Sequence, residues 1–172
     1  MRRRHPLPRH WLMTDERMGD ALWQALERLP RGAGVVFRHY GLAPAERRAL
    51  FARVRKVARR RGLVLVRAGI EPMRGESGAH GARGRGIRTA PAHNRREAVA
   101  ALRAGAHALF VSPAFSTRSH PGARALGRAR FGLLVRGLDV PVIALGGMDA
   151  RKAASLKPFG IHGWAAIDAW TR

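Results

Sequence analysis

Phe110-Val-Ser-Pro-Ala-Phe-Ser-Thr-Arg-Ser-His-Pro-Gly122 and Val142-Ile-Ala-Leu-Gly-Gly-Met148 carry the strongest structural signal in the chain. In both segments an apolar run of strand length ends abruptly in a polar or glycine-rich loop. The pair Gly146 and Gly147 lets backbone N–H groups approach a phosphate, and Asp149 is placed to cap a following helix. Two such junctions predict a parallel sheet that binds ligands at the carboxyl ends of its strands.

The rest of the chain alternates between extended runs and helical patterns. The longest helical pattern begins at Pro44, carries one apolar stripe and ends at Gly62. Extended runs are predicted at residues 10–15, 34–38, 63–67, 78–80, 86–89, 108–111, 140–145 and 161–167. Because eight strands alternate with helices, we predict a single α/β domain over residues 1–172, a closed (β/α)₈ TIM barrel. An open doubly wound sheet is the alternative.

Residues 68–92 are glycine-rich and show no helical periodicity. They form either one long loop or two short strands whose connecting helices are missing, and base rates of loop length favour the strands. A barrel of this kind usually has about 250 residues, whereas this chain has 172. We therefore expect a compact barrel with shortened or missing helices between strands 3 and 5.

The net charge is +22, from 33 lysines and arginines against 11 acidic residues. Such a charge attracts nucleic acid or phosphorylated metabolites. With one tyrosine, six phenylalanines and no aromatic pair among the cations, the chain lacks a base-stacking platform, which disfavours nucleic acid. Without cysteine or an apolar leader after the cationic start, a cytoplasmic protein with no membrane partner is expected, and its oligomeric state stays open.

Within the first segment, the apolar run that ends at Val111 is followed by hydroxyls and cations of the kind that form an anion pocket: Ser116, Thr117, Arg118, Ser119 and His120. Four histidines fall near predicted strand ends on one barrel face: His39, His80, His93 and His120. They could transfer protons, bind a metal or line the pocket. Because their spacing is irregular and no carboxylate accompanies them, no metal ligands are assigned.

The same two segments, with the final Gly160-Ile-His-Gly-Trp-Ala-Ala-Ile, resemble the thiamine phosphate synthase and thiazole tautomerase superfamily, a group of small TIM barrels. The resemblance extends from about Trp11 to Ile167 and is strongest from Asn94 onward. It implies phosphorylated small molecules as partners. The synthase of that family joins an aminopyrimidine methyl diphosphate to a thiazole phosphate and releases diphosphate.

The resemblance also implies where the thiazole phosphate is held. The loop after strand six contributes hydroxyls, and the loops after strands seven and eight contribute backbone groups. The corresponding residues are Thr117, Ser119, Gly146 and Gly147, with the main chain of Trp164 and Ala165. Arg118 is a further pocket candidate in the same loop.

The diphosphate half of the family's site matches less well. The family uses Mg²⁺, but its Asn-Asp pair after strand three corresponds to Arg67 and Ala68, and its second metal carboxylate falls near Arg85, so the carboxylate ligands for that ion are missing. Either Arg67 and Arg85 bind the diphosphate directly, or this half of the site is lost. The candidates for acting on the leaving group are Arg38, Arg67 and His120.

Four functions remain open at this point. The first is a transferase resembling thiamine phosphate synthase. The second is a non-catalytic or regulatory relative that binds thiazole phosphate or thiamine phosphate. A tautomerase-like isomerase is disfavoured because Pro113 stands at the position of the family's histidine, unless His120 replaces it. The fourth is a nucleic-acid-binding protein on a barrel scaffold.

Overall fold

A computed structural model describes residues 6–117, 122 and 124–171. Eight parallel strands form one closed barrel in chain order, with β8 pairing to β1. Their bounds are β1 His10–Met13, β2 Gly34–Phe37, β3 Val64–Ala68, β4 Gly78–His80, β5 Ile87–Ala92, β6 Ala108–Val111, β7 Val142–Leu145 and β8 Gly163–Ala166. The predicted barrel is confirmed, and the open sheet is excluded because the strands close on themselves.

Five α-helices are found among the described residues: α1 Ala21–Arg28, α2 Pro44–Arg61, α3 Arg95–Arg103, α4 Gly127–Val135 and α5 Ala150–Leu156. Neither the β3–β4 nor the β4–β5 connection contains a helix, as the sequence predicts. In the part of the chain that the structure describes, no helix is both long and apolar enough to cross a membrane.

Local sequence explains where the helices begin and end. The Asn94 side chain accepts a hydrogen bond from the backbone N–H of Glu97 at 2.9 Å, which caps α3. Asp149 caps α5 in the same way through the N–H of Lys152 at 2.8 Å. At the other end of a helix, Gly62 adopts the left-handed conformation, φ 65°, that terminates α2.

The inside of the barrel is packed with apolar side chains. Trp11 on β1 meets Phe110 on β6 edge to face, with 5.2 Å between the ring centroids. Val66 and Ile143 belong to the same fully buried cluster. A Cβ atom on Gly34 would overlap the Trp11 ring, so the glycine makes room for the largest interior side chain. Because the interior is filled, a ligand can bind only at the ends of the barrel.

Arg67 is buried on the outer face of β3, where no helix joins this strand to β4. Val64, Val66 and Ala68 face the barrel interior, whereas Leu65 packs on the opposite side of the strand. Strand alternation therefore places Arg67 outside the barrel with Leu65. Its side chain is only 1% exposed and is buried under the loop that joins β3 to β4.

The Arg67 guanidinium makes one ion pair and two hydrogen bonds there. Nε lies 2.7 Å from Oε2 of Glu76, Nη2 donates to the carbonyl of Arg83 at 2.8 Å, and Nη1 donates to the carbonyl of Gly69. These contacts tie β3 to the connections on either side of β4. The expectation that Arg67 binds the diphosphate is wrong, because the side chain lies outside the barrel and does not line the cavity at its mouth.

Candidate active site at the barrel mouth

A cavity of about 460 Å³ opens at the carboxyl ends of β1, β2, β6, β7 and β8. Its lining combines apolar side chains such as Met13 and Met148 with hydroxyls and charged groups. This is where a (β/α)₈ barrel is expected to bind ligands. The loops after β6 and β7, which the sequence singled out, form one wall of the cavity.

Gly146 and Gly147 bring the loop after β7 against the loop after β6. Both have positive φ, 96° and 59°. A Cβ atom on Gly146 would stand 2.8 Å from Cα of Pro113, and one on Gly147 would overlap the carbonyl oxygen of Ser116. The backbone N–H of Phe115 donates to the carbonyl of Gly146 at 3.1 Å. Only glycine allows this approach, which gathers both loops at one wall.

Hydroxyls lie on the same wall. Thr117, which the sequence predicts as a phosphate ligand, lines the cavity, together with Ser112 and Ser116. The predicted ligands Ser119 and His120, and the pocket candidate Arg118, lie outside the described residues. Their roles stay predictions.

Lys152 is a cavity residue that the sequence analysis did not identify. Its Nζ donates to the carbonyl of Gly147 at 2.6 Å and lies 3.7 Å from Oδ2 of Asp149. Nζ also stands 5.6 Å from the centre of the Phe115 ring. The signal that could have revealed it is its position in the first turn of a capped helix that directly follows a glycine pair.

Arg38 lines the opposite side of the cavity, at the end of β2. Its Nε donates to the carbonyl of Thr14 at 2.8 Å, and its Nη2 donates to Oδ2 of Asp15 at 3.0 Å. Burial lowers the pKa of Arg38, and the charge of Asp15 opposes that shift. The pKa of Asp15 is lowered to about 2, mainly by hydrogen bonds from Arg17 and to a smaller extent by the charge of Arg38. Arg38 therefore faces the cavity as a cation that already has a carboxylate partner.

A buried arginine braces the backbone behind Arg38. Arg47 of α2 donates through Nε to the carbonyl of His39 at 3.0 Å and through Nη2 to the carbonyl of Ala68 at 2.6 Å. The His39 ring stacks on Phe37 at 4.8 Å, and its Nδ1 lies 3.0 Å from Oγ1 of Thr14. The cavity lining does not include His39, whose ring is held behind the loop by these contacts.

The other histidines do not converge. His93 lines the cavity, but its Nδ1 lies 2.8 Å from Oε2 of Glu97 in the first turn of α3. His80 is buried inside the barrel, where its Nδ1 lies 2.9 Å from Oγ1 of Thr89 and its ring meets Phe110. Of the four histidines predicted near strand ends on one barrel face, His93 lines the cavity, His39 and His80 do not, and His120 lies outside the described residues.

Three further predicted positions also lie away from the cavity lining. Arg85 is exposed in the loop between β4 and β5. Trp164 and Ala165 lie inside β8, where the N–H of Trp164 donates to the carbonyl of Arg9 at 2.8 Å. Their backbone groups belong to the sheet, so the prediction of a phosphate contact there is wrong. The cavity is lined instead by the residues that follow: Ala166, Ile167, Asp168 and Ala169.

The residues that the structure describes do not fit a Mg²⁺ ion. Among residues 6–117, 122 and 124–171, no group of three or more histidines, cysteines or carboxylates could hold a metal. At the positions where the family resemblance implies an Asn-Asp pair and a second carboxylate, the structure has Arg67 outside the barrel, Ala68 inside it and Arg85 in solvent. A hard cation needs several oxygen ligands, which these side chains do not supply.

Burial of His80 makes stability depend on pH. Desolvation lowers the pKa of His80 from 6.5 to about 4, with a smaller contribution from the charge of Arg38. Between these values the unfolded chain binds a proton that the folded protein does not bind. We therefore expect stability to fall as pH falls from about 6.5 to about 4, by up to about 3 kcal/mol.

Denaturant unfolding at several pH values measures this loss, and His80→Gln is expected to reduce its slope. A residual slope remains because burial also lowers the pKa values of His10 and His39. An unchanged slope in His80→Gln would contradict the assignment.

Known proteins resemble this chain in sequence and in fold. The family model described as thiamine monophosphate synthase matches residues 86–170. The thiamine-phosphate synthase of Chloroflexus aurantiacus is 35% identical over 79 residues, which are 45% of this chain and 37% of that protein. The matched stretch thus spans little more than a third of that relative, and the relative's activity does not transfer with it.

Solved structures show the same barrel. A thiamine phosphate pyrophosphorylase from Pyrococcus furiosus superposes with a TM-score of 0.76 at 21% identity, covering 94% of this chain and 86% of that chain. A second, from Bacteroides thetaiotaomicron, gives 0.61 at 17% identity, with 94% and 83% covered. At these identities the likeness establishes the fold. The family match over residues 86–170 and the shared barrel fold confirm the resemblance to the thiamine phosphate synthase superfamily.

Proposed function

We propose that this protein binds a phosphorylated thiazole, either thiazole phosphate or thiamine phosphate, at the mouth of its barrel. The observation that carries the proposal is the wall on which the Gly146-Gly147 loop, Thr117 and Lys152 come together. The phosphate group lies against this wall, and the ring lies over the apolar lining around Met13 and Met148. The relatives named thiamine-phosphate synthase support this class of ligand.

The wall offers three kinds of phosphate contact. Lys152 Nζ has three donors, of which one is directed to the carbonyl of Gly147. Hydroxyls of Ser116 and Thr117 add short hydrogen bonds. The glycine pair presents backbone without side chains in the way. A charge-assisted contact combined with neutral donors is the usual chemistry of phosphate binding.

Synthase activity is the second candidate function. Arg38 favours it, because this arginine lines the cavity and matches the basic residue that the family resemblance retains after strand two. The chemistry requires neutralisation of a departing diphosphate. Arg67 and Arg85 do not line the cavity, and the described part of the chain supplies no group of metal ligands. Binding of the thiazole phosphate is therefore better supported than its coupling to a pyrimidine.

A tautomerase-like isomerase has less support. Pro113, at the position of the family's histidine, lines the cavity but cannot transfer a proton. His120 is the residue that the hypothesis needs in its place, and it lies outside the described residues. We therefore place this function third.

A coupled experiment separates binding from synthesis. The purified protein is titrated calorimetrically with thiazole phosphate, then incubated with aminopyrimidine methyl diphosphate and thiazole phosphate, with Mg²⁺ and with EDTA. We expect binding in both buffers and no thiamine phosphate. Product formation would establish the synthase instead, and Arg38→Ala should then abolish it. If neither thiazole phosphate nor thiamine phosphate binds, the proposed function is wrong.

A further inference from the structure

The outer face of α2 carries cations that the rest of the described chain does not bind. Of the eight lysines and arginines in this helix, five are held by contacts within the protein: Arg47, Arg53, Arg55, Arg60 and Arg61. The other three, Arg48, Lys56 and Arg59, are exposed, and no described residue forms a hydrogen bond or ion pair with their side chains. These three charges are therefore available to a partner.

The row of cations is unfavourable for the helix by itself. Arg59 lies three residues after Lys56 and four after Arg55, so like charges meet within one turn and repel each other. The one acidic residue of α2, Glu46, lies in its first turn, where its side chain accepts from the N–H of Ala43 at 3.3 Å. A bound polyanion removes the repulsion that no acidic residue of the helix offsets.

A second group of exposed arginines lies beside α2, in the connections on either side of β4. Arg55 Nη1 donates to the carbonyl of Arg74 at 3.0 Å, which brings the β3–β4 loop against the helix. Arg67 joins that loop to the next one through Glu76 and the carbonyl of Arg83. The six exposed cations of α2 and these loops form one surface, the cationic face: Arg48, Lys56, Arg59, Arg74, Arg83 and Arg85.

The shape of α2 suits the major groove of a duplex. The helix has 18 residues and is therefore about 27 Å long. Three exposed alanines recur along its outer face at helical spacing, Ala45, Ala49 and Ala52, so the helix backbone can approach a partner closely. The major groove of B-form DNA admits an α-helix, and phosphates line both of its edges.

Three other polyanions fit the cationic face less well. A single strand binds by stacking its bases on aromatic side chains, which this face does not carry. Duplex RNA has a major groove too narrow for a helix. A membrane surface is bound through the apolar face of a helix, but that face of α2 is buried on the barrel at Phe51, Val54 and Ala58. The lack of a stacking platform thus disfavours single strands and leaves a DNA duplex, whose bases stay stacked on one another.

We propose that the cationic face binds double-stranded DNA through its phosphates, with α2 along the major groove and without readout of the base sequence. This binding is separate from the function proposed for the barrel mouth, because none of the six cations lines the cavity. Either function can therefore fail in a test without affecting the other.

Fluorescence anisotropy with a labelled DNA duplex of about 20 base pairs and mixed sequence measures the binding as a function of salt. If all six cations contact phosphates, log affinity falls with log salt at a slope of about −5.4. Raising the salt from about 25 mM to about 50 mM then weakens wild-type binding about fortyfold. In the triple variant Arg48→Gln, Lys56→Gln, Arg59→Gln, the slope is expected to halve, so the same change weakens binding only about sixfold.

A second triple variant, Arg96→Gln, Arg103→Gln, Arg130→Gln, is the matched control. It removes the same charge from exposed positions on α3 and α4, outside the cationic face. Its affinity at each salt concentration and its slope are expected to remain close to those of the wild type. Circular dichroism of both triple variants checks that the fold is retained.

The outcomes that would overturn the proposal are specific. The first is failure of the wild type to bind the DNA duplex at about 25 mM salt, where phosphate contacts are strongest. The second is an equal loss of affinity and slope in the two triple variants, which would show that net charge alone attracts the DNA. The third is tighter binding of the single strand, of duplex RNA or of phosphatidylserine vesicles than of the DNA duplex.

Discussion

Arg67→Ala is expected to lower the free energy of unfolding by about 3–5 kcal/mol, the usual cost of removing one partner of a buried ion pair. The side chain is 1% exposed and its partner Glu76 is 13% exposed, so the remaining carboxylate would be left largely desolvated. The carbonyls of Gly69 and Arg83 would also lose their donor. Urea unfolding measures the change.

Arg85→Ala is the matched control for Arg67→Ala. Arg85 lies in the same helix-free region but is exposed, so its removal should change the free energy of unfolding by no more than about 0.5 kcal/mol. Affinity for thiazole phosphate should be the same in Arg85→Ala as in the wild type. If Arg67→Ala left stability unchanged and weakened binding, the structural role assigned to Arg67 would be refuted.

Lys152→Gln is expected to weaken thiazole phosphate binding about tenfold, the lower end of the range for a charge-assisted hydrogen bond. The lower end applies because the Lys152 side chain is 41% exposed, so water screens its charge. Glutamine keeps the length of the side chain and is compatible with the helix. Isothermal titration calorimetry of the variant and the wild type measures the loss.

Lys157→Gln serves as the control for this loss. Lys157 directly follows the same helix, but it is exposed and lies outside the cavity lining. Its replacement removes the same charge from the chain and should leave the dissociation constant unchanged. Equal losses in the two variants would show that net charge, rather than a contact at the wall, determines affinity.

Much of the architecture could be predicted from local patterns. Apolar runs of strand length, glycine stops and capping residues such as Asn94 and Asp149 depend on interactions within a few residues, and they gave the alternation of strands and helices. The loss of helices between β3 and β5 was also visible, because residues 68–92 have no helical periodicity. Gly146 and Gly147 were recognised for the same reason, since a glycine pair after a buried strand is a local signal.

The errors all concern which way a side chain or backbone group faces. Residues Val64–Ala68 are buried on both faces of β3, so their sequence does not reveal which alternate set points inward. Arg67 therefore could not be assigned to the outside before the barrel closed. For β8, the pairing of Leu12 with Ala166 confirms that Trp164 and Ala165 lie inside the extended run predicted over residues 161–167, so the cavity is lined by Ala166 and the residues after it.

The sequence by itself thus determined the alternation of strands and helices, the stretch without helices between β3 and β5, and the two loops that follow β6 and β7. These features depend on contacts between residues close in the chain. Only the tertiary structure decided that Arg67 is buried outside the barrel in an ion pair with Glu76. It also decided that Lys152 donates to the carbonyl of Gly147 and that Asp168 lines the cavity. The physical reason is that strand register and barrel closure set these directions, and both are fixed by pairing between segments far apart in the sequence.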